Sequence, residues 1–441
     1  MEPRHTSRPA VSISDYAEDS DSVRKALNLC DGLRDLDPSH RVLIKPNIAW
    51  GSPLSWKAPR YGFVTTSHIV EEIVRVLREH GCRHISIGEG SIVDRRLGAD
   101  TAVAFRWAGM DRVARRYGVA LVDFNRDGHE AVDLDGTIAR VATRALGADF
   151  LIDVPVLKTH HQTVVSLGIK NLKGCLAQQS RKTFHLGDLH RLIALLAMRL
   201  RPQLTVIDGI YGLERGPEFL GTAHRRNLVV ASRDVLACDV VGAQLMGIDP
   251  KHVDHLNEHA VLTNGPLDLD GIVVKGDWPT SAMHAFAWER GYEGMFTRTG
   301  VTGISVRPPG PHTCSGCTVA MRSALLSFCS DNVGRKFEGI EVCHGATATP
   351  TRDARMVLLL GDCAIRANAN LSNAVTVRGC PPSLLDAYVI LASKTLGRTQ
   401  AAAKLVRRSL LILRGRLGVH AEDFPAYPHY DSREFRPEHF E

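Results

Sequence analysis

Residues 150–175 read FLIDVPVLKTHHQTVVSLGIKNLKGC, and this stretch decides the fold class. Its first eight residues are mostly apolar, as in a strand covered on both faces by helices. The run then ends in LKTHH, where the pattern turns polar. Twelve of the 54 basic residues are lysine, yet Lys158, Lys170, Lys173 and Lys182 fall within 25 residues. Where arginine is the prevailing cation, clustered lysines suggest sites that want a compact ammonium rather than a planar fork.

Working outward, similar β-rich runs recur at 42–45, 84–88, 120–124, 204–207 and 228–231. Between them lie helical stretches at 67–80, 101–117, 189–200 and 235–246. Ile69, Ile73, Val76 and Leu77 follow the three-four spacing of a one-sided helix. This alternation predicts an α/β fold, a mostly parallel layered sheet domain. Several strands end in polar or glycine-rich turns: LIKPN, SIGEG, VPVLKTHH and VIDGIYG. In a parallel sheet such carboxyl ends share one edge, where ligands bind. Lys45, Asn47, Glu89, Lys158, His160, His161 and Asp208 are expected to meet there.

Composition narrows the function. With 441 residues, 44% hydrophobic and 23% charged, the chain is neither disordered nor fibrous and is long enough for two cores. No apolar run reaches the length of a membrane span; the best, 189–200, contains Arg191 and Arg199. The first residues lack a signal-peptide core, so a cytoplasmic protein is expected. The net charge of +6 is dispersed and aromatics are only 6%, which disfavours nucleic acid as a partner. Dinucleotide, P-loop and serine-elbow fingerprints are missing from the sequence.

The ten cysteines are uneven. Six fall between Cys314 and Cys380. In a cytoplasmic chain that density points to metal or redox use rather than disulfides. Cys314 and Cys317 form a CxxC pair before a helix, Cys363 follows the strand MVLLLGDC, and Cys380 lies in TVRGCPPS. These three settings again suggest one edge of a small sheet. A zinc ribbon uses two CxxC knuckles, and here the second pair is dispersed, so a 4Fe–4S cluster suits the spacing better than zinc. Cys329 reads as a core residue, Cys343 as a spare ligand or part of a strand. Cys175, beside the lysines, is either a thiol whose pKa the cations lower or a plain buried cysteine.

Two resemblances rest on these residues. LIKPN, TTSHIVEEIVRVLREHG, SIGEG, DVPVLKTHHQTVVSLGIKNLKGCL, IDGIYGLERGP and ASRDVLACDVVGAQLMGIDP together resemble the domain of unknown function 362 family over about residues 40–275. That family is similar in architecture to the N-terminal part of the nickel-dependent lactate racemase superfamily, an analogy of fold only. CSGC, LLLGDCAI and VRGCPPS resemble the cluster-binding fold of nickel–iron hydrogenase small subunits and of the related NADH:quinone oxidoreductase subunit. This second resemblance implies a 4Fe–4S cluster on Cys314, Cys317, Cys363 and Cys380. The adjacent cysteine pair of the quinone-reductase subunit is missing here.

The expected organisation is an N-terminal segment 1–39, an α/β domain 40–280, a linker 281–311, a cluster module with C-terminal helices 312–418, and a tail 419–441. The expected activity is iron–sulfur reduction of a small anionic substrate, with a ferredoxin-like electron donor. Lys45, Asn47, Glu89, Lys170, Lys173 and Asp208 would bind the substrate. Lys158, His160, His161 and Cys175 would serve catalysis. The alternatives are an electron-transfer or binding protein without chemistry of its own, and a zinc-stabilised non-redox enzyme.

Overall fold

The computed structural model describes residues 8–18, 21–51, 61–95, 98–215, 221–276, 278–279, 285–288, 292–308, 315–372, 374–413 and 436–441. They fall into two compact units, the first within 1–184, 190–288 and 430–441, the second within 185–189 and 289–429.

The larger unit begins with β1 (Ala10–Asp15), α1 (Ser22–Leu29), β2 (Arg41–Pro46), α2 (Ser67–Glu79) and β3 (His84–Glu89). It continues through α3 (Thr101–Trp107), α4 (Met110–Tyr117), β4 (Ala120–Asp123), β5 (His129–Leu134), β6 (Thr137–Ala142) and α5 (Thr143–Leu146). Then come β7 (Phe150–Val154), β8 (Val156–His160), β9 (Val164–Val165), α6 (Gly168–Asn171), α7 (Gln178–Leu186) and α8 (Leu189–Leu200). The unit is completed by β10 (Leu204–Glu214), β11 (Thr222–Ser232), α9 (Val235–Leu245), α10 (Asp254–Thr263) and β12 (Val273–Gly276).

Its main sheet runs β12-β1-β11-β10-β7-β2-β3-β4, with β8 and β9 branching from β10. The pairings among β10, β7, β2, β3 and β4 are parallel, as the apolar strands predict. β11 departs, running antiparallel to both β1 and β10, as does the short β9 against β8. Strands β7 and β10 are buried along their whole length. Each fully buried Leu or Ile there contributes about 1.5–3 kcal/mol of apolar transfer.

The helix expected over 101–117 is two helices. Gly109 between them has φ +77 and a left-handed backbone. A side chain there would also overlap the Phe440 carbonyl. That carbonyl belongs to the C-terminal residues 436–441, which dock on the larger unit. Phe440 is fully buried, Ser67 Oγ donates to the His439 carbonyl at 3.1 Å, and Arg112 donates to the Phe440 carbonyl at 3.1 Å. The N-terminal segment also contributes to this unit, through β1 and α1.

The smaller unit comprises α11 (Glu293–Thr299), β13 (Thr302–Val306), α12 (Ser315–Ser330), β14 (Lys336–His344), β15 (Met356–Leu360), α13 (Asp362–Ala367), β16 (Val375–Val377), α14 (Leu384–Leu396) and α15 (Arg398–Leu413). Its sheet, β13-β14-β15-β16, is parallel throughout. Among the described residues no helix is long and apolar enough to cross a membrane.

Candidate functional site

The carboxyl ends of β2, β3 and β8 meet at one edge of the large sheet and gather several of the expected residues. Lys45 interrupts β2 and is fully buried, and its ammonium lies 2.8 Å from Glu89 Oε2 at the end of β3. It also donates to the Pro46 carbonyl at 2.6 Å and to Asn171 Oδ1 at 3.2 Å. Glu89 accepts the Ile48 and Gly90 amides, each at 2.8 Å. Lys158, on β8, donates to Asn47 Oδ1 at 2.7 Å and to the Phe63 carbonyl at 2.6 Å. Asn47 in turn donates to Asn171 Oδ1 at 2.8 Å. Lys45, Glu89, Asn47 and Lys158 therefore form one buried network, closed by Asn171.

Asn171 arrives there because α6 is pinned at its start. Asp239, in the mostly apolar α9, accepts the Gly168 amide at 2.7 Å and the Ile169 amide at 2.8 Å. Burial pushes its carboxyl up to about 7. Asn171 also donates to Asp153 Oδ1 at 2.8 Å. Asp153 Oδ2 has no hydrogen-bond partner, and burial raises that carboxyl well above the usual range, with Lys45 opposing the rise. Gly174 covers the network: a Cβ there would lie 2.7 Å from Lys45 Cε and Nζ and would overlap Glu89 Oε1. Asp153, Asn171 and Asp239 were not singled out from sequence. Asp153 and Asp239 carried a signal, a charge inside an apolar element.

The other expected residues are placed differently. Asp208 is buried with its oxygens on the Thr66 amide at 2.7 Å and the Ile210 amide at 3.1 Å, so it holds the start of α2. Burial pushes it up to about 6. His160 and His161 stack with ring centroids 4.7 Å apart, and His160 Nδ1 accepts the Gln162 and Thr163 amides. Burial, then Lys170, hold His160 well below its ordinary value. Lys170 donates to Ser166 Oγ at 3.4 Å, and burial with Lys45 pushes it down to about 7. Lys173 is half-buried in the turn that follows α6. Cys175 is fully buried, and burial pushes its thiol up to about 12. That direction is the reverse of a cation-lowered thiol, because desolvation outweighs the Lys45 charge.

In the smaller unit, Cys317 is buried in the first turn of α12, Cys363 follows β15 in α13, and Cys380 follows β16 and is exposed. Cys314 lies outside the described residues. The β15 and β16 ends are laced together: Gly361 N donates to Val377 O at 2.9 Å, Asp362 N to Gly379 O at 3.1 Å, and Gly379 N to Asp362 Oδ1 at 3.0 Å. Cys317 Sγ packs onto this crossing, 3.0 Å from where a Gly361 Cβ would stand. The three described cysteines thus belong to one edge of the small parallel sheet. Cys363 Sγ accepts from Arg366 at 3.6 Å. Among the described residues no three His, Cys, Asp or Glu side chains are gathered closely enough to hold one metal ion. Cys329 and Cys343 are buried among apolar side chains, and burial pushes them up to about 12 and about 11.

A separate cleft of about 520 Å³ in the larger unit is lined by Glu18, Glu71, Glu72, His68 and Arg75 among others, and contains none of the expected site residues.

Residues 42–244 match the model of a family described as Domain of unknown function (DUF362). Apart from residues 185–189 the match lies in the larger unit, and it ends before the cysteine-rich sheet. Among curated proteins, the chain is similar to the thylakoid-associated protein sll1697 of Synechocystis sp. (strain ATCC 27184 / PCC 6803 / Kazusa). The two are 28% identical over 237 residues, which cover 52% of this chain and 70% of that protein. Among solved structures it aligns with the lactate racemase apoprotein from Thermoanaerobacterium thermosaccharolyticum at 10% sequence identity and a TM-score of 0.39, covering 90% of this chain and 92% of that one.

Proposed function

We propose that this chain is a cytoplasmic 4Fe–4S cluster-binding redox protein, a reductase of a small anionic substrate served by a ferredoxin-like electron donor. The observation that carries the reading is Cys317 Sγ resting on Gly361, where the loops bearing Cys363 and Cys380 cross. The donor type suits the group: Cys317, Cys363 and Cys380 belong to one sheet edge, Cys314 precedes Cys317 by one CxxC step, and the described thiols would have to draw together around the cluster. Cys363, Cys380, Cys317 and Cys314 would hold the cluster, which when bound supplies one-electron transfer. The Lys170–Lys173 end of the larger site would attract the substrate anion, since Lys45 and Lys158 are already engaged with Glu89 and Asn47. His160, held neutral by burial, and His161 stacked on it would exchange a proton there.

Protein purified without oxygen should be brown and carry about four irons and four sulfides per chain. Cys363→Ser and Cys380→Ser should lower iron content, whereas Cys329→Ser should leave it unchanged. Colourless, iron-free protein from anaerobic preparation overturns the reading, and one zinc without sulfide moves it to a zinc-stabilised enzyme.

A further inference from the structure

Lys170 stands apart from the other lysines at the large-sheet edge. Lys45 has Glu89, and Lys158 has the Asn47 amide oxygen and a carbonyl. The hydrogen bond Lys170 makes is a long one, 3.4 Å to the Ser166 hydroxyl. Its surroundings are also one-sided. The charges acting most strongly on His160 are Lys170, His161, Lys173 and Lys158. Those acting on His255 are His190, Lys170 and His259. One ammonium therefore acts on a ring of each of two stacked imidazole pairs, and no carboxylate ranks among the charges that act on either ring.

His255 carries unmet hydrogen-bonding capacity in the part of this group that α10 supplies. It is the second residue of α10, which packs against α6, and it is fully buried with neither ring nitrogen hydrogen-bonded. Its ring stacks on His190 at 6.1 Å and 26°. A neutral imidazole carries one donor and one acceptor, and burying both without partners is costly unless something else completes them. An oxyanion completes this set: it accepts from the ammonium and from the imidazole N–H groups, and it supplies the negative charge the cluster lacks.

We infer that Lys170, His255 and His190, beside the stacked His160–His161 pair, form a pocket for a dianionic phosphoryl-type group, and that occupancy adds a proton to His255. This deepens the reading of an anionic substrate at that edge and rests on it. The proton comes from solvent, because a bound dianion stabilises the imidazolium that burial alone disfavours. The groups facing His255 are His190, which lies 3.6 Å from the exposed Asp254, together with Lys170 and His259, the last offset by Asp234. With no carboxylate among the charges that act most strongly on His255, the bound anion is the counter-charge.

Sulfate is the probe, since it has the shape of phosphate and does not itself titrate near neutral pH. Calorimetry on the full chain, prepared without oxygen, should show sulfate binding that weakens about tenfold per pH unit once His255 must take up its proton. Two buffers of different ionisation enthalpy should report about one proton taken up per sulfate bound. His255→Gln, which keeps a hydrogen-bonding side chain but cannot be protonated, should abolish the uptake and weaken sulfate by about tenfold or more. His255→Leu should do the same wherever it folds. Undetectable sulfate binding to the unmutated chain overturns the inference, as does equal, pH-independent binding by the chain and its H255Q variant. Iron and sulfide assayed on the same samples report separately on the redox reading: a cluster without sulfate binding defeats only the pocket, and sulfate binding without a cluster defeats only the redox assignment.

Discussion

Glu89→Gln should destabilise the larger unit by about 3–5 kcal/mol, the usual consequence of stranding one member of a buried ion pair. The structure supplies the reason. The side chains of Lys45 and Glu89 are 1% and 2% exposed, so water cannot replace the lost charge. Glutamine is nearly isosteric and keeps an oxygen for the Ile48 or Gly90 amide. Its NH2 group, however, must then face a donor, and the Lys45 ammonium is left with the Pro46 carbonyl and Asn171 Oδ1. The cost measures the stranded charge and is no measure of what the intact pair contributes, because two desolvated ions roughly break even with apolar replacements. Removing the second charge should therefore return most of the loss, making Lys45→Met/Glu89→Gln more stable than Glu89→Gln alone. Urea unfolding followed by tryptophan fluorescence reads the difference. At about 2–4 °C per kcal/mol for a domain of this size, the melting temperature should fall by roughly 6–20 °C. If Glu89→Gln stays within about 1 kcal/mol of the unmutated chain, or the double variant is no more stable than the single one, the pair is not the charged, water-free contact argued above.

Two further outcomes follow from the same edge. Gly174→Ala should cost about 1–3 kcal/mol or more, because the new methyl group must displace Lys45 or Glu89 rather than fill space; equal urea midpoints for the variant and the parent would contradict this. Asp239 titrates near 7 in the fold against an ordinary value near 3.8, so the folded chain binds the extra proton between those values. Its contribution to stability is complete below about pH 4 and is lost as pH rises to about 7. The stability difference between the parent and Asp239→Asn should therefore slope across that window and level off above it, and a flat difference would show that Asp239 is already ionised at the foot of α6.

The large sheet was legible because its strands are apolar on both faces, and that pattern leaves little alternative to a parallel sheet under helices. The same periodicity missed the break at Gly109, since 101–107 and 110–117 continue one amphipathic rhythm. A side chain at that left-handed glycine is excluded by the Phe440 carbonyl, a contact from the far end of the chain. Partnership inside the site was hidden for a related reason. A lysine in an apolar strand looks alike whether it faces a ligand or a carboxylate, and the Lys45 partners lie 44 and 126 residues away. The sequence therefore marks Lys45 and Lys158 as unusual without saying that Glu89 and Asn47 already engage them. His255 shows the converse. In DHLNEHAVLT it looks like one polar residue among several on a surface helix, and only the packing of α10 on α6 buries it where the Lys170 charge acts on it. Charged residues inside apolar elements thus locate the network from sequence. Which of them remain available to a ligand is decided by long-range pairing, and that pairing is why Lys170, rather than Lys45 or Lys158, is the lysine proposed to meet an anion.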